Sequence, residues 1–102
     1  EDLGDFIDRF PESEYVGNAK QRMIYLRNLI AKQEIYVAEF YIERKAYIAA
    51  LGRADYVIKH MSKTPSVERA LEIMVLVYEE LKEEDLKLNA SEALIEYRNK
   101  KS

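Results

Sequence analysis

Residues 37–57 read Val37-Ala38-Glu39-Phe40-Tyr41-Ile42-Glu43-Arg44-Lys45-Ala46-Tyr47-Ile48-Ala49-Ala50-Leu51-Gly52-Arg53-Ala54-Asp55-Tyr56-Val57. The apolar phase runs at helical spacing up to Tyr41, is lost across Glu43-Arg44-Lys45, and restarts at Tyr47, Ala50, Ala54 and Val57. A phase break inside an otherwise helical pattern predicts a corner, so two helices meet here as an antiparallel hairpin. Ala50 and Ala54 sit where the second arm faces the first. Small residues there let the two backbones approach, while the larger residues opposite fill the remaining space.

Working outward, residues 14–44 contain no proline and only Gly17, so they predict one long helix, with Ser13 placed to cap it. Ala19, Met23, Leu26, Ile30, Gln33, Val37 and Phe40 repeat at alternating spacings of four and three and predict its buried seam. Tyr25, Leu29 and Tyr36 mark a second face, so the helix is expected to be buried from two sides. That second face and the polar Gln33 favour several neighbours over a two-stranded coiled coil. Downstream, the partner helix covers 46–61 and Ser62-Lys63-Thr64-Pro65-Ser66 is a loop. Ser66 with Glu68 and Glu72 reads as the start of another helix. Leu71, Met74, Tyr78 and Leu81 form one arm of a terminal hairpin, Glu83-Glu84-Asp85 its corner, and Leu86, Ala90, Ala93, Leu94 and Tyr97 the other arm. Ala90 and Ala93 are expected to play the part of Ala50 and Ala54, and residues 98–102 to fray.

Upstream, Leu3, Phe6, Ile7 and Phe10 form a stripe that Pro11 ends, predicting a helix over 1–10. It starts almost at residue 1 with nothing before it to pack on, as expected of a piece of a longer solenoid. Residues 1–102 are thus expected to be a single unit. Residues 1–10 are the second helix of a preceding repeat, 14–61 a long helix with its partner, and 66–99 the terminal hairpin. The stripe would pack on helix 14–44 or at a dimer contact. The order large, small, aromatic, aromatic, small, small, apolar at Val37, Ala38, Tyr41, Tyr47, Ala50, Ala54 and Val57 follows the 34-residue tetratricopeptide pattern. The expected fold is therefore all-α, a tetratricopeptide-type right-handed helical solenoid of about five helices, one unusually long.

The inventory of chemical groups argues for a binding protein. The chain has no cysteine and one histidine, which removes thiolate metal sites and a cysteine nucleophile. His60 lies beside Lys59 and Lys63 with no second ligand and reads as a solvated side chain. Glycine-rich phosphate loops, nucleophile elbows and metalloprotease motifs are absent. Glu39 and Glu43 stand one turn apart among Lys32, Arg44 and Lys45 and read as a charge-paired face. The acidic run 79–85 lacks the glycine and alternate spacing of a calcium loop. No catalysis and no cofactor are expected.

The net charge is −3, unevenly spread: residues 16–65 hold nine bases against Glu34, Glu39, Glu43 and Asp55. That local excess suits an acidic protein surface and is too small and too interrupted for nucleic acid. Of eight tyrosines, Tyr41 and Tyr47 are expected inside, and Tyr36 or Tyr56 near a partner.

Phe6-Ile7-x-x-Phe10-Pro11-x-Ser13-x-Tyr15, Ala19-x-x-Arg22, and Leu29-x-Ala31-x-x-Glu34-x-x-Val37-Ala38-x-x-Tyr41-x-x-Arg44-x-Ala46-Tyr47-x-Ala49-Ala50-x-x-Arg53 together resemble the BamD family of outer-membrane β-barrel assembly lipoproteins. The resemblance is densest over 19–57 and corresponds to the C-terminal half of the family's protein. It implies a scaffold at the periplasmic face of the outer membrane, attached only through an N-terminal lipid anchor that these residues do not include. The implied partners are the last periplasmic (POTRA) domain of the barrel subunit BamA, accessory Bam lipoproteins and unfolded outer-membrane protein substrate.

Arg53 falls on the family's arginine that is similar to the one pairing with an acid of BamA. Tyr36, Arg44 and Tyr56 join it as candidate partner-binding residues. A purely structural role for Arg53 would pair its head with Asp55 or Glu39. Two departures stand out: Gly52-Arg53 replaces the usual Asn-Arg, and His60-Met61-Ser62-Lys63-Thr64-Pro65 replaces a Tyr-Pro stop, implying a longer corner. The alternative from another class is a general tetratricopeptide adaptor that grips a peptide tail in its concave groove. Only Asn28 and Lys32 approach the carboxylate clamp such adaptors use.

Overall fold

The computed structural model describes residues 14–101, and the expected helix 1–10 with its apolar stripe lies outside them. Four helices follow one another: α1 (Glu14–Glu43), α2 (Tyr47–His60), α3 (Val67–Glu80) and α4 (Glu84–Lys101). Each packs on the next, and α1 also touches α3, which is the stacked-hairpin arrangement of a tetratricopeptide-like solenoid.

Both hairpin corners use the same device. Lys45 and Lys82 adopt left-handed φ values of 60° and 61°. After α1, the Lys45 amide donates to the Ile42 carbonyl and the Ala46 amide to the Tyr41 carbonyl, both at 2.9 Å. After α3, Lys82 donates to Glu79 at 3.1 Å and Glu83 to Tyr78 at 2.9 Å. These paired bonds satisfy the last carbonyls of each helix and reverse the chain, a role usually filled by glycine. The middle corner differs, because buried Thr64 donates its hydroxyl to the Met61 carbonyl at 2.8 Å and ties the 61–66 loop to the end of α2. Ser66 stands at the N-cap of α3 but makes no side-chain cap bond, so the expected capping box does not form.

The core is continuous through Ala31, Ile35 and Ala38 of α1, Ala50, Ala54 and Val57 of α2, Met61, and Val67, Ala70, Leu71, Ile73 and Val77 of α3, with Leu94 of α4. Tyr41 and Tyr47 pack half-buried against it, as expected. The buried face of α1 corrects the sequence reading. Of the expected seam, Leu26, Ile30, Gln33 and Phe40 are exposed, as are Tyr25, Leu29 and Tyr36 of the second face. Small alanines carry the close helix contact, and the large side chains beside them point away from it. Ala93 is likewise exposed, while Ala90 and Leu94 of the same arm are buried as expected.

The last turn of α4 does not fray. Arg98 reaches back to Glu68 at 2.7 Å and to Glu72 at 2.6 Å, and helix persists to Lys101.

Candidate partner-binding site

The α1–α2 hairpin brings Arg53 and Tyr56 to one place and leaves Tyr36 and Arg44 at another. Residues nearly equidistant from the corner face each other in an antiparallel pair, and Glu34 and Arg53 are so related across residue 44. Arg53 Nη1 donates to Glu34 Oε1 at 2.8 Å. Neither Asp55 nor Glu39 is its partner: Asp55 pairs with Lys59 at 3.1 Å and Glu39 with Arg69 of α3 at 2.8 Å. Glu39 therefore spans two hairpins and does not join a local pairing with Lys32, Arg44 and Lys45.

Around this pair lies a cleft of about 520 Å³, lined by Glu34 and Tyr41 of α1 and Ala49, Gly52, Arg53 and Tyr56 of α2. Gly52 leaves its wall bare, with nothing within 4 Å of where a Cβ would stand. The Tyr56 ring, on the cleft wall, lies 4.9 Å from the His60 ring. The hydrogen bond and charge of Glu34 raise the pKa of Arg53 above its ordinary value, with a smaller contribution from Tyr41, so the guanidinium stays charged. The Arg53 side chain is 45% exposed and that of Glu34 is 18% exposed. A pair this wet contributes at most about 1 kcal/mol to folding. Its effect is orientation: Glu34 occupies one guanidinium nitrogen, and the fork has further N–H donors to offer a second carboxylate.

On another side of α1, the Arg44 guanidinium carbon sits 3.7 Å above the Phe40 ring centroid, and Phe40 meets Tyr41 edge-on at 5.8 Å. Tyr36, Glu39, Phe40 and Glu43 border a small hollow of about 100 Å³. Glu34, Phe40 and Tyr41 were missed as site residues by sequence reasoning. The hairpin's mirror relation could have revealed Glu34. Among the described residues, no three His, Cys, Asp or Glu side chains gather to hold a metal ion. No described helix is long and apolar enough to cross a membrane.

Residues 1–94 match the family model described as an outer membrane lipoprotein, YfiO. Among curated relatives named outer membrane protein assembly factor BamD, that of Neisseria meningitidis serogroup A is 38% identical over 79 residues, covering 78% of this chain and 30% of the relative. The protein of Xylella fastidiosa strain Temecula1 is 33% identical over 93 residues, covering 91% and 32%. That of Buchnera aphidicola from Acyrthosiphon pisum is 38% identical over 66 residues, covering 65% and 27%. The chain thus spans roughly a third of the length of these relatives. A model matching nearly all of the chain settles its family: the chain belongs to the YfiO outer-membrane lipoproteins.

Proposed function

We propose that this chain is a non-catalytic scaffold segment of the outer-membrane β-barrel assembly machinery, working at the periplasmic face of the membrane. Its relatives carry the name of assembly factors, which supports the general role. The cleft between α1 and α2 is the proposed grip on the last periplasmic domain of the barrel subunit BamA. The observation that carries this reading is the charged Arg53 head at the mouth of an open cleft, steered by Glu34 but with donors to spare. An acidic side chain entering beside Tyr56 would complete the fork as the cleft loses its water. Accessory lipoproteins and unfolded barrel substrate are further proposed partners of the same scaffold.

Arg53→Ala tests the assignment. Truncating one member of a desolvated charge pair costs about 2–5 kcal/mol of binding, read as a fall in affinity for the cognate BamA domain by calorimetry. Arg53→Lys is expected to recover only part, because an ammonium lacks the planar fork. An Arg53→Ala chain that keeps its helical circular dichroism and binds the domain as tightly as the parent would refute the assignment.

A further inference from the structure

Ala49, Gly52, Arg53 and Tyr56 stand at i, i+3, i+4 and i+7, so they share one exposed face of α2, and all four line the cleft. Arg53 and Tyr56 carry long side chains, whereas Ala49 offers a methyl group and Gly52 nothing. A helical side chain leans toward the N-terminus and covers the turn before its own Cα. At position 52 that turn includes Ala49. The missing side chain therefore leaves a notch in the α2 wall of a cleft that also holds Tyr41 and Tyr56.

Nothing within the described chain requires glycine at this place. Its φ is not left-handed, and a Cβ built there meets no heavy atom within 4 Å. Neither the backbone nor the packing of α1 against α2 excludes a larger residue. Glycine inside a helix nevertheless costs stability relative to alanine. A position that gives up helical stability and gains no internal contact fits close approach by a group from outside, one of the uses of a missing Cβ.

The size and chemistry of the space indicate that group. The cleft of about 520 Å³ is in the range that holds a whole drug-sized molecule, so one carboxylate on Arg53 leaves most of it unfilled. Gly52 lies in the second turn of α2, where its amide and carbonyl are bonded within the helix. The floor of the notch thus has no polar group of its own to spare, and with the Ala49 methyl it suits an apolar occupant.

We propose that Gly52 sets the specificity of the cleft, its notch seating a large apolar side chain of the partner next to the acidic side chain that Arg53 engages. This role presupposes that the cleft grips the last periplasmic domain of BamA. The two contacts divide the work: the charge pair orients the domain, and the seated side chain supplies buried apolar area that an ion pair lacks.

Calorimetric titration of the 102-residue chain with the cognate BamA domain tests this, alongside thermal unfolding of each variant. Gly52→Ala and Gly52→Leu are expected to unfold at or above the parent's midpoint, since both residues favour the helix. Binding is expected to move the other way, about threefold weaker for alanine and about tenfold to a hundredfold weaker for leucine, which occupies the notch. An alanine scan of the large apolar residues flanking the acidic one on the domain is expected to find a truncation that restores binding by Gly52→Leu, because leucine fills the space vacated. A scan in which no truncation does so overturns the proposal. Parent-like binding by both variants, with binding lost in Arg53→Ala, overturns the role of Gly52 and leaves the charge grip standing. A lower unfolding midpoint for Gly52→Leu also overturns it, because the notch is then filled by another part of the same chain.

Discussion

Three residues of this chain hold positions that local preference would assign the other way round. Gly52 lies inside α2 with a negative φ and open space around it, while Lys45 and Lys82 take the left-handed turns at the hairpin corners. Gly52→Ala is expected to raise stability by about 1 kcal/mol, because alanine loses less freedom on entering a helix. Lys82→Gly is expected to raise it by up to about 1 kcal/mol, by relieving the left-handed strain. Urea unfolding midpoints with unchanged slopes check both. These positions also explain what was hard to read. The corner at 43–45 was legible as a loss of apolar phase although no glycine announces it. The Glu34 partner of Arg53 was not, because 19 residues separate them and only the hairpin register joins them.

At the scale of elements, the hairpins are set by how closely their helices approach. Ala50 and Ala54 have no exposed surface and were legible as contact residues because two small residues stand at helical spacing opposite larger ones. The buried face of α1 was not legible. Its alanines contribute little to any hydropathy count, whereas Leu26, Ile30 and Phe40 contribute much and lie outside. Ala54→Leu is expected to cost about 1–3 kcal/mol in urea unfolding, since the added carbons have no space between α1 and α2. Ala93→Leu, on the exposed side of α4, is expected to stay within about 0.5 kcal/mol of the parent.

Over the whole molecule, a chain of ion pairs fastens the helices on one flank: Glu39 to Arg69, Arg69 to Glu72, Glu72 to Arg98, Arg98 to Glu68 and Glu68 to Lys101. It joins α1, α3 and α4, elements that the hydrophobic pattern alone would order but not bind edge to edge. The Arg98 hydrogen bond, helped by the charge of Lys101, holds the Glu68 carboxyl below the usual carboxylate range. A depressed carboxylate adds stability that is complete above the unfolded glutamate value of about 4.3 and is lost as pH falls through the lower folded value. Thermal midpoints measured from pH 7 to pH 3 are therefore expected to drop more steeply for the parent than for Arg98→Ala, with the two curves meeting at the acid end. Parallel curves would mean that Glu68 is not the group responsible.

The 30-residue length of α1 has a mechanical meaning. At 1.5 Å per residue it is about 45 Å of unbroken helix, close to the 52 Å longest dimension of the molecule. A swing of about 10° at the Lys45 corner would carry its far end through about 8 Å. Glu34, about two-thirds of the way along this beam, holds Arg53. A load taken up at the N-terminal end would thus arrive at the cleft as a change in the angle of the guanidinium, without any loop in between to absorb it.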